Sequence, residues 1–161
     1  MMLNDIVKNL LKEVSGIAEI PANAAFNIRN NSKSEGRHST ENIDIVPKEG
    51  GSGLDIYVKP FTTHEHVHIR ALITQDGVSE VVYNDFHIGE GAEIEIIAGC
   101  GIHNCGCDDS VHEGIHRFFL GKNSKVVYIE KHIGEGDGSG KRIINPQTHV
   151  EAEENAYTQI D

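Results

Sequence analysis

The chain has no tryptophan, two methionines, four prolines and three cysteines, and aromatic residues make up only 6% of it. Any core must therefore be built from aliphatic and β-branched side chains rather than from large rings. The three cysteines all lie between positions 100 and 107, which argues against a secreted disulfide framework, where an even number is spread along the chain. Basic residues are also scarce: 14 Lys and Arg stand against 25 Asp and Glu, a formal charge of −11. That balance argues against a nucleic-acid binder, whose basic surface has to displace counterions. No apolar run approaches the roughly 18 residues that a membrane-spanning helix requires. Asn4, Asp5, Lys8, Asn9, Lys12 and Glu13 interrupt the first segment, so it is no signal-peptide core either. A reduced, cytoplasmic setting is the expectation.

What is present is enough for one folded domain of 161 residues. Leu3, Ile6, Val7, Leu10, Leu11 and Val14 recur at the spacing of one helix face, so an amphipathic helix opens the chain. Gly16 can end it and Pro21 stops any continuation. From Asn27 to Gly53 polar residues dominate, with one apolar patch at Ile43, Ile45 and Val46. This reads as a long, partly flexible loop with one short strand, closed by the Gly50, Gly51, Ser52, Gly53 joint. We therefore divide the chain into an N-terminal helix and loop (1–53) and a main body (54–161).

Past Leu54 the pattern changes to short β-branched and aromatic runs punctuated by Gly, Asp and Asn. Ile56 and Val58, then Val67, Ile69, Ala71 and Ile73, then Ile94 and Ile96 alternate with polar neighbours, so each run predicts a strand with one wet face. Residues 80–91 (EVVYNDFHIGEG) and 125–136 (KVVYIEKHIGEG) share eight of twelve residues at an offset of 45. A weaker match at an offset of 32 pairs FHIGEGAEIEII (86–97) with FFLGKNSKVVYI (118–129). Such periods predict stacked units, here an all-β solenoid of parallel strands with two coils of roughly 22 residues per repeat. Gly89, Gly121 and Gly134 are expected at its corners; a β-sandwich is the alternative.

The densest chemistry lies in Cys100, His103, Cys105, Cys107, Asp108, Asp109, His112, Glu113 and His116. Thiolate, imidazole and carboxylate are the ligands of zinc and iron, and a Cys-x-Cys pair in extended backbone directs two sulfurs to one side. Only four residues separate Cys107 from His112, too few for a zinc finger, and three cysteines are one short of a closed cluster cage. His112-Glu113-Gly114-Ile115-His116 matches the H-E-x-x-H metallohydrolase pattern, which requires a helix, yet its surroundings read as strand. His64, His66 and His68 share one strand face with Arg70 and read as its wet side. Gly134 to Arg142 resembles a phosphate loop but departs from it at Glu135 and Arg142, so it reads as a flexible turn between coils.

NIRNNSKSEGRHSTENIDI (27–45), VVYNDFHIGEGAEIEIIAGCGIHNCGC (81–107), HEGIHRFFLGKN (112–123) and EKHIGEGDGSGKRIINPQT (130–148) together resemble the SufB/SufD family, in particular its shorter bacterial and archaeal members. The resemblance places the family signature on Ala98–Asn104 and on His112, Gly114, Ile115 and His116. It implies a right-handed parallel β-helix and a scaffold role in SUF-type iron–sulfur cluster assembly. The implied partners are a SufC-like ABC-type ATPase and another SufB/SufD-like subunit. Family members continue beyond the equivalent of Asp161 with further coils and a helical segment that docks the ATPase, so the chain reads as a short or truncated form with an unpaired last coil inviting oligomerisation. The sulfur-receiving and cluster-holding residues of larger members fall in that missing part.

The combined expectation is a cluster-assembly scaffold, not a conventional enzyme. Cys100, Cys105 and Cys107 would offer thiolates to iron or persulfide sulfur, and His103, His112 and His116 would complete a labile shell for the cluster or its precursors. A zinc-stabilised structural or interaction module is the competing class, and a metallohydrolase using His112, Glu113 and His116 a third.

Overall fold

The computed structural model describes residues 3–16 and 20–161. Helix α1 (Leu3–Ser15) precedes eleven strands: β1 (Ala24–Asn30), β2 (Lys33–His38), β3 (Ile43–Pro47), β4 (Gly53–Val58), β5 (Thr63–Ile73), β6 (Ser79–Ile88), β7 (Glu93–His103), β8 (Ser110–Leu120), β9 (Lys125–Glu135), β10 (Arg142–Ala152) and β11 (Tyr157–Ile160). They form two sheets, ordered β11-β9-β7-β5-β1-β2 and β10-β8-β6-β4-β3. From β4 onward the chain alternates between the sheets, and each strand pairs in parallel with the strand two further on. This is a parallel β-helix of about three turns, not the antiparallel sandwich that was the alternative. Among the described residues no helix is long and apolar enough to cross a membrane.

The coil length differs from the expected 22 residues. Ser79 pairs with Val111, Glu93 with Lys125 and Ser110 with Arg142, so a later coil takes 32 residues and carries two strands. The weaker repeat is therefore the structural one, and Phe86 stacks on Phe118 with centroids 4.6 Å apart. The stronger match, 80–91 with 125–136, joins β6 to β9, which lie in different sheets. Both segments share a strand's alternation, but the backbone ladder alone decides what stacks on what.

One corner is tight and repeats from coil to coil. Phe61, Gly91, Asn123 and Asn155 occupy its successive levels, all in the left-handed region with φ of 61°, 65°, 58° and 56°. Gly89 and Gly121 flank it as expected, but Gly134 lies inside β9. A Cβ on Gly121 would sit 2.7 Å from the Glu90 amide nitrogen and 2.8 Å from the Ile88 carbonyl oxygen, so backbone would have to move. The Val150–Ile160 run also turns at this corner, between β10 and β11, instead of forming one strand.

Helix α1 lies across β5, β7 and β9. Leu10 and Val14 of its apolar stripe are buried against Gly101 and Gly99, whose missing side chains let the helix approach the sheet. The side chain of Leu3 lies outside the described residues. Gly16, with φ of 74°, ends the helix and donates its amide to the Lys12 carbonyl.

Two expectations about polar stretches are corrected. Residues 27–53 form most of β1, all of β2 and β3, and the start of β4, not a loop with one strand: β1 and β2 form one hairpin, and β3 and β4 another. The stretch is polar because β2 is almost wholly exposed and because inward-facing Asn27 and Arg29 of β1 are bonded rather than exposed. Arg37 donates to Asn27 Oδ1 at 3.1 Å, and Arg29 donates to Glu80 at 3.0 Å and to Ser52 at 3.0 Å. The charged strand β2 forms the edge of its sheet, a composition that discourages pairing with other chains. The histidine face of β5 is likewise not uniformly wet. His64 is exposed and His66 half-buried, but His68 and Arg70 are each only 1% exposed.

Exchanging Gly121 for Ala is expected to cost about 1–3 kcal/mol, as overpacking against fixed backbone does. Gly51→Ala, with nothing closer than 3.8 Å, should fall well below that in equilibrium urea unfolding.

Candidate functional site

Inside the β-helix the side chains are layered. Near the tight corner Ile56, Val58, Phe86, Ile88, Phe118, Leu120 and their neighbours form an apolar cluster. Near the opposite, looser corner Ala71, Ile73, Cys100 and Ile102 form a second one. Between them runs a belt of polar groups. Strand alternation turns Glu80, Asn84, His112, Gly114 and His116 inward from one sheet, facing Cys100, Tyr128, Glu130 and His132 from the other.

The belt is ordered by hydrogen bonds. His112 Nδ1 lies 2.6 Å from Glu80 Oε1, and Glu80 Oε2 accepts from Arg29 and from Ser32. Burial would raise the Glu80 pKa, but the hydrogen bond and charge of His112, with Ser32 and Arg29, hold it below the ordinary range. His116 Nδ1 contacts the Tyr128 hydroxyl and lies 3.8 Å from Glu130, while its Nε2 faces Asn84 Nδ2 at 3.3 Å. Burial pushes the His116 pKa down to about 4, against a partial upward pull from Glu130. Burial also raises the Cys100 thiol, reinforced by Glu80 and Glu130, so Cys100 is a neutral thiol in the wall. The belt surrounds a cavity of about 30 Å³, room for about two water-sized species, such as an ion with a water, and far too small for a multi-iron cluster.

The exposed thiols sit elsewhere, on the looser corner between β7 and β8. Cys105 Sγ lies 3.1 Å from His103 Nε2, and His103 Nδ1 lies 2.9 Å from Glu135. This thiol–imidazole–carboxylate line lets His103 take the sulfur's proton while Glu135 fixes the ring. Cys107 joins Asp76 and Asp108 in a group whose ligand atoms all lie within 4.8 Å of one another. The six donors expected to form one site thus divide: Cys100, His112 and His116 inside, His103 with Cys105 at the corner, and Cys107 with two aspartates beside it.

The glycine-rich turn after β9 holds this corner instead of flexing freely. A Cβ on Gly136, Gly138 or Gly140 would come within 2.3, 2.4 and 2.1 Å of backbone atoms of residues 104–108. Alternate glycines therefore let the turn lie directly on the cysteine loop. Arg142, which breaks the phosphate-loop pattern, donates to the carbonyls of Asn104, Gly136 and Gly138. Buried Asn104 ties the loop from within, donating to the Asp108 carbonyl at 2.8 Å and accepting from the Gly106 amide at 2.8 Å.

The metallohydrolase reading is corrected. His112 to His116 lie on β8, and Glu113 points to the opposite face from the two histidines, so it cannot serve as their base. A further acidic trio, Asp55, Asp85 and His87, already has Lys48 Nζ 2.7 and 2.8 Å from its carboxylates and Arg117 on Asp85, where a cation would sit. Glu80, Asn84, Glu130 and His132 are not singled out by residue type and local spacing. An offset of 32 finds three of them, since it sets Glu80 beside His112, Asn84 beside His116 and Cys100 beside His132, but it sets Glu130 beside Ala98 and gives no signal there.

No protein-family model, curated protein or solved structure matches the chain.

Burial also pushes His68 down to about 4, with the charge of Arg70 and then His66 adding to it. Both His68 and His116 are thus neutral in the fold, whereas unfolded histidine takes up a proton below about pH 6.5. Their contribution is complete above that value and is lost as pH falls toward 4. Stability should drop by about 1–3 kcal/mol between pH 7 and 5, and His68→Gln should flatten the fall in thermal midpoint against pH.

Alkylation by iodoacetamide should modify Cys105 first and leave Cys100 untouched in the folded chain. His103→Ala should slow Cys105 toward the rate of Cys107, as followed by mass spectrometry.

Proposed function

We propose that the chain is a scaffold component of SUF-type iron–sulfur cluster assembly, the role its SufB/SufD-like motifs imply, and that the corner at residues 103–109 is where iron and sulfur meet. One observation carries this reading: the looser corner brings together an imidazole-paired thiol, Cys105, and a sulfur and carboxylate group in which Cys107 and Asp108 of the same loop meet Asp76 of the adjacent coil. Thiolate and carboxylate together suit ferrous iron, and their exposure allows loading and release. Cys105 is suited to attack the outer sulfur of a persulfide, taking that sulfur and releasing the donor as its thiolate. The site is neither deep nor closed, which is what a scaffold that hands on its product requires. In this reading the cluster or its iron and sulfide precursors are cargo, bound transiently. The partners are a SufC-like ABC-type ATPase and a second SufB/SufD-like subunit, in the cytoplasm.

Anaerobic reconstitution with ferrous iron and sulfide tests it. The intact chain should take up both and develop charge-transfer absorption, and Cys105→Ser with Cys107→Ser should lose most of that uptake. Equal uptake by the two proteins would remove the corner from consideration.

A further inference from the structure

The interior belt has a geometry that cargo handling at the corner leaves unused. The only residue between His112 and His116 on the inner face of β8 is Gly114, and its missing side chain opens the space between the two rings. A Cβ there would stand 3.2 Å from His112 Nε2 and 3.5 Å from His116 Nε2, so both nitrogens border the same gap. The far nitrogen of each ring is already engaged: His112 Nδ1 with Glu80, and His116 Nδ1 with the Tyr128 hydroxyl. Metal-binding histidines have this arrangement, in which an outer carboxylate or hydroxyl fixes the tautomer and turns the inner lone pair toward an ion. At His116 that lone pair faces the Asn84 amide nitrogen at 3.3 Å, which an ion would displace by turning the amide so that its oxygen faces inward.

Other observations around the gap point to a cation. Glu130 is a mostly buried carboxylate, its side chain 14% exposed, with imidazoles 3.8 and 3.2 Å away and no Lys or Arg paired with it among the described residues. Asn84 is 3% exposed and lines the cavity, and its carbonyl oxygen has no hydrogen-bond partner. Both ring nitrogens of His132 are buried without one as well, since the approach of Nε2 to Glu130 lacks hydrogen-bond geometry. An unsatisfied amide oxygen beside a cavity is costly to bury, and the Glu130 carboxylate, hydrogen-bonded to Tyr128 and flanked by His132 and His116, has only hydroxyl and imidazole partners. A hydrated dication would satisfy both.

We propose that this belt is the resident site of one divalent transition-metal ion, held by His112 Nε2 and His116 Nε2, with Glu130 balancing its charge and water completing the shell. Two imidazoles and a carboxylate suit zinc, ferrous iron or cobalt rather than calcium or magnesium. The cavity volume sets the stoichiometry at one. Such an ion would brace the two histidines of β8 and attract Glu130 of the facing sheet by charge, a role separate from cargo handling at the corner, and it stands whether or not the corner assembles a cluster.

Titration of the intact chain with cobalt and then zinc, followed by X-ray absorption at the zinc edge, tests this. One equivalent should bind, with visible ligand-field bands for cobalt. The zinc shell should contain only nitrogen and oxygen at about 2.0–2.2 Å, with imidazole scattering. Cys105→Ser with Cys107→Ser should leave this unchanged even where it abolishes cluster uptake, which separates the two proposals. Glu80→Gln should weaken the metal about ten- to a hundredfold by loosening His112, and His116→Gln should remove the cobalt bands. Failure of the intact chain to bind either metal would overturn the proposal. So would sulfur scattering at about 2.3 Å, or loss of binding in the double cysteine variant. The absorption measurement uses the unsubstituted belt, so it decides the matter even where a belt variant fails to fold.

Discussion

Everything in this molecule hangs on a ladder of parallel backbone hydrogen bonds that returns the chain to the same place every 29–30 residues in its earlier coil and every 32 in the later ones. Because the ladder fixes register, it also fixes which side chains become neighbours. Glu80 meets His112, Asn84 meets His116, Asp85 meets Arg117, His103 meets Glu135 and Asp76 meets the amide of Asp108, all at the separation of 32. The polar chemistry inside and at the corner is thus a by-product of stacking: once the strands pair, donor and acceptor arrive together.

That arrangement explains how a β-helix tolerates a polar belt through its middle. Buried carboxylates and imidazoles are expensive alone, yet here most are paired across adjacent coils, and apolar clusters on both sides exclude water. The exceptions are few and localised. Arg70 is buried with two nitrogens lacking partners, and Asn84 and His132 carry unmet groups in or beside the cavity. The belt is where the fold gives up some stability, and its donors converge there.

Much of this is legible in the residues. The helix shows in the spacing of Ile6, Leu10 and Val14, and the solenoid in the recurrence of short alternating runs. The coil length does not, because identity favours the 45-residue match while structure follows the 32-residue one, in which Phe86 and Phe118 keep the same place but little else recurs. The strands between residues 24 and 47 are hidden because their inward side chains, Asn27 and Arg29, look solvent-bound until their partners are known. The ligand cluster stands out by residue type but not as two sites, since sequence proximity cannot tell an inward histidine on β8 from a corner cysteine a few residues earlier. The partners that complete each half lie a full coil away, beyond any local window.

The turn at Gly136, Gly138 and Gly140 carries one more implication. Because it rests on the loop that bears Cys105 with no space to spare, bulk introduced there acts at a distance: the thiol would shift against His103 although no reactive group had changed. Natural or engineered variation in that stretch should therefore be confined to Asp137 and Ser139, since the glycines press on the layer below and Glu135 holds His103 there. A chain that lost this every-other-residue pattern would keep its cysteines but lose the 3.1 Å spacing between Cys105 Sγ and the His103 ring.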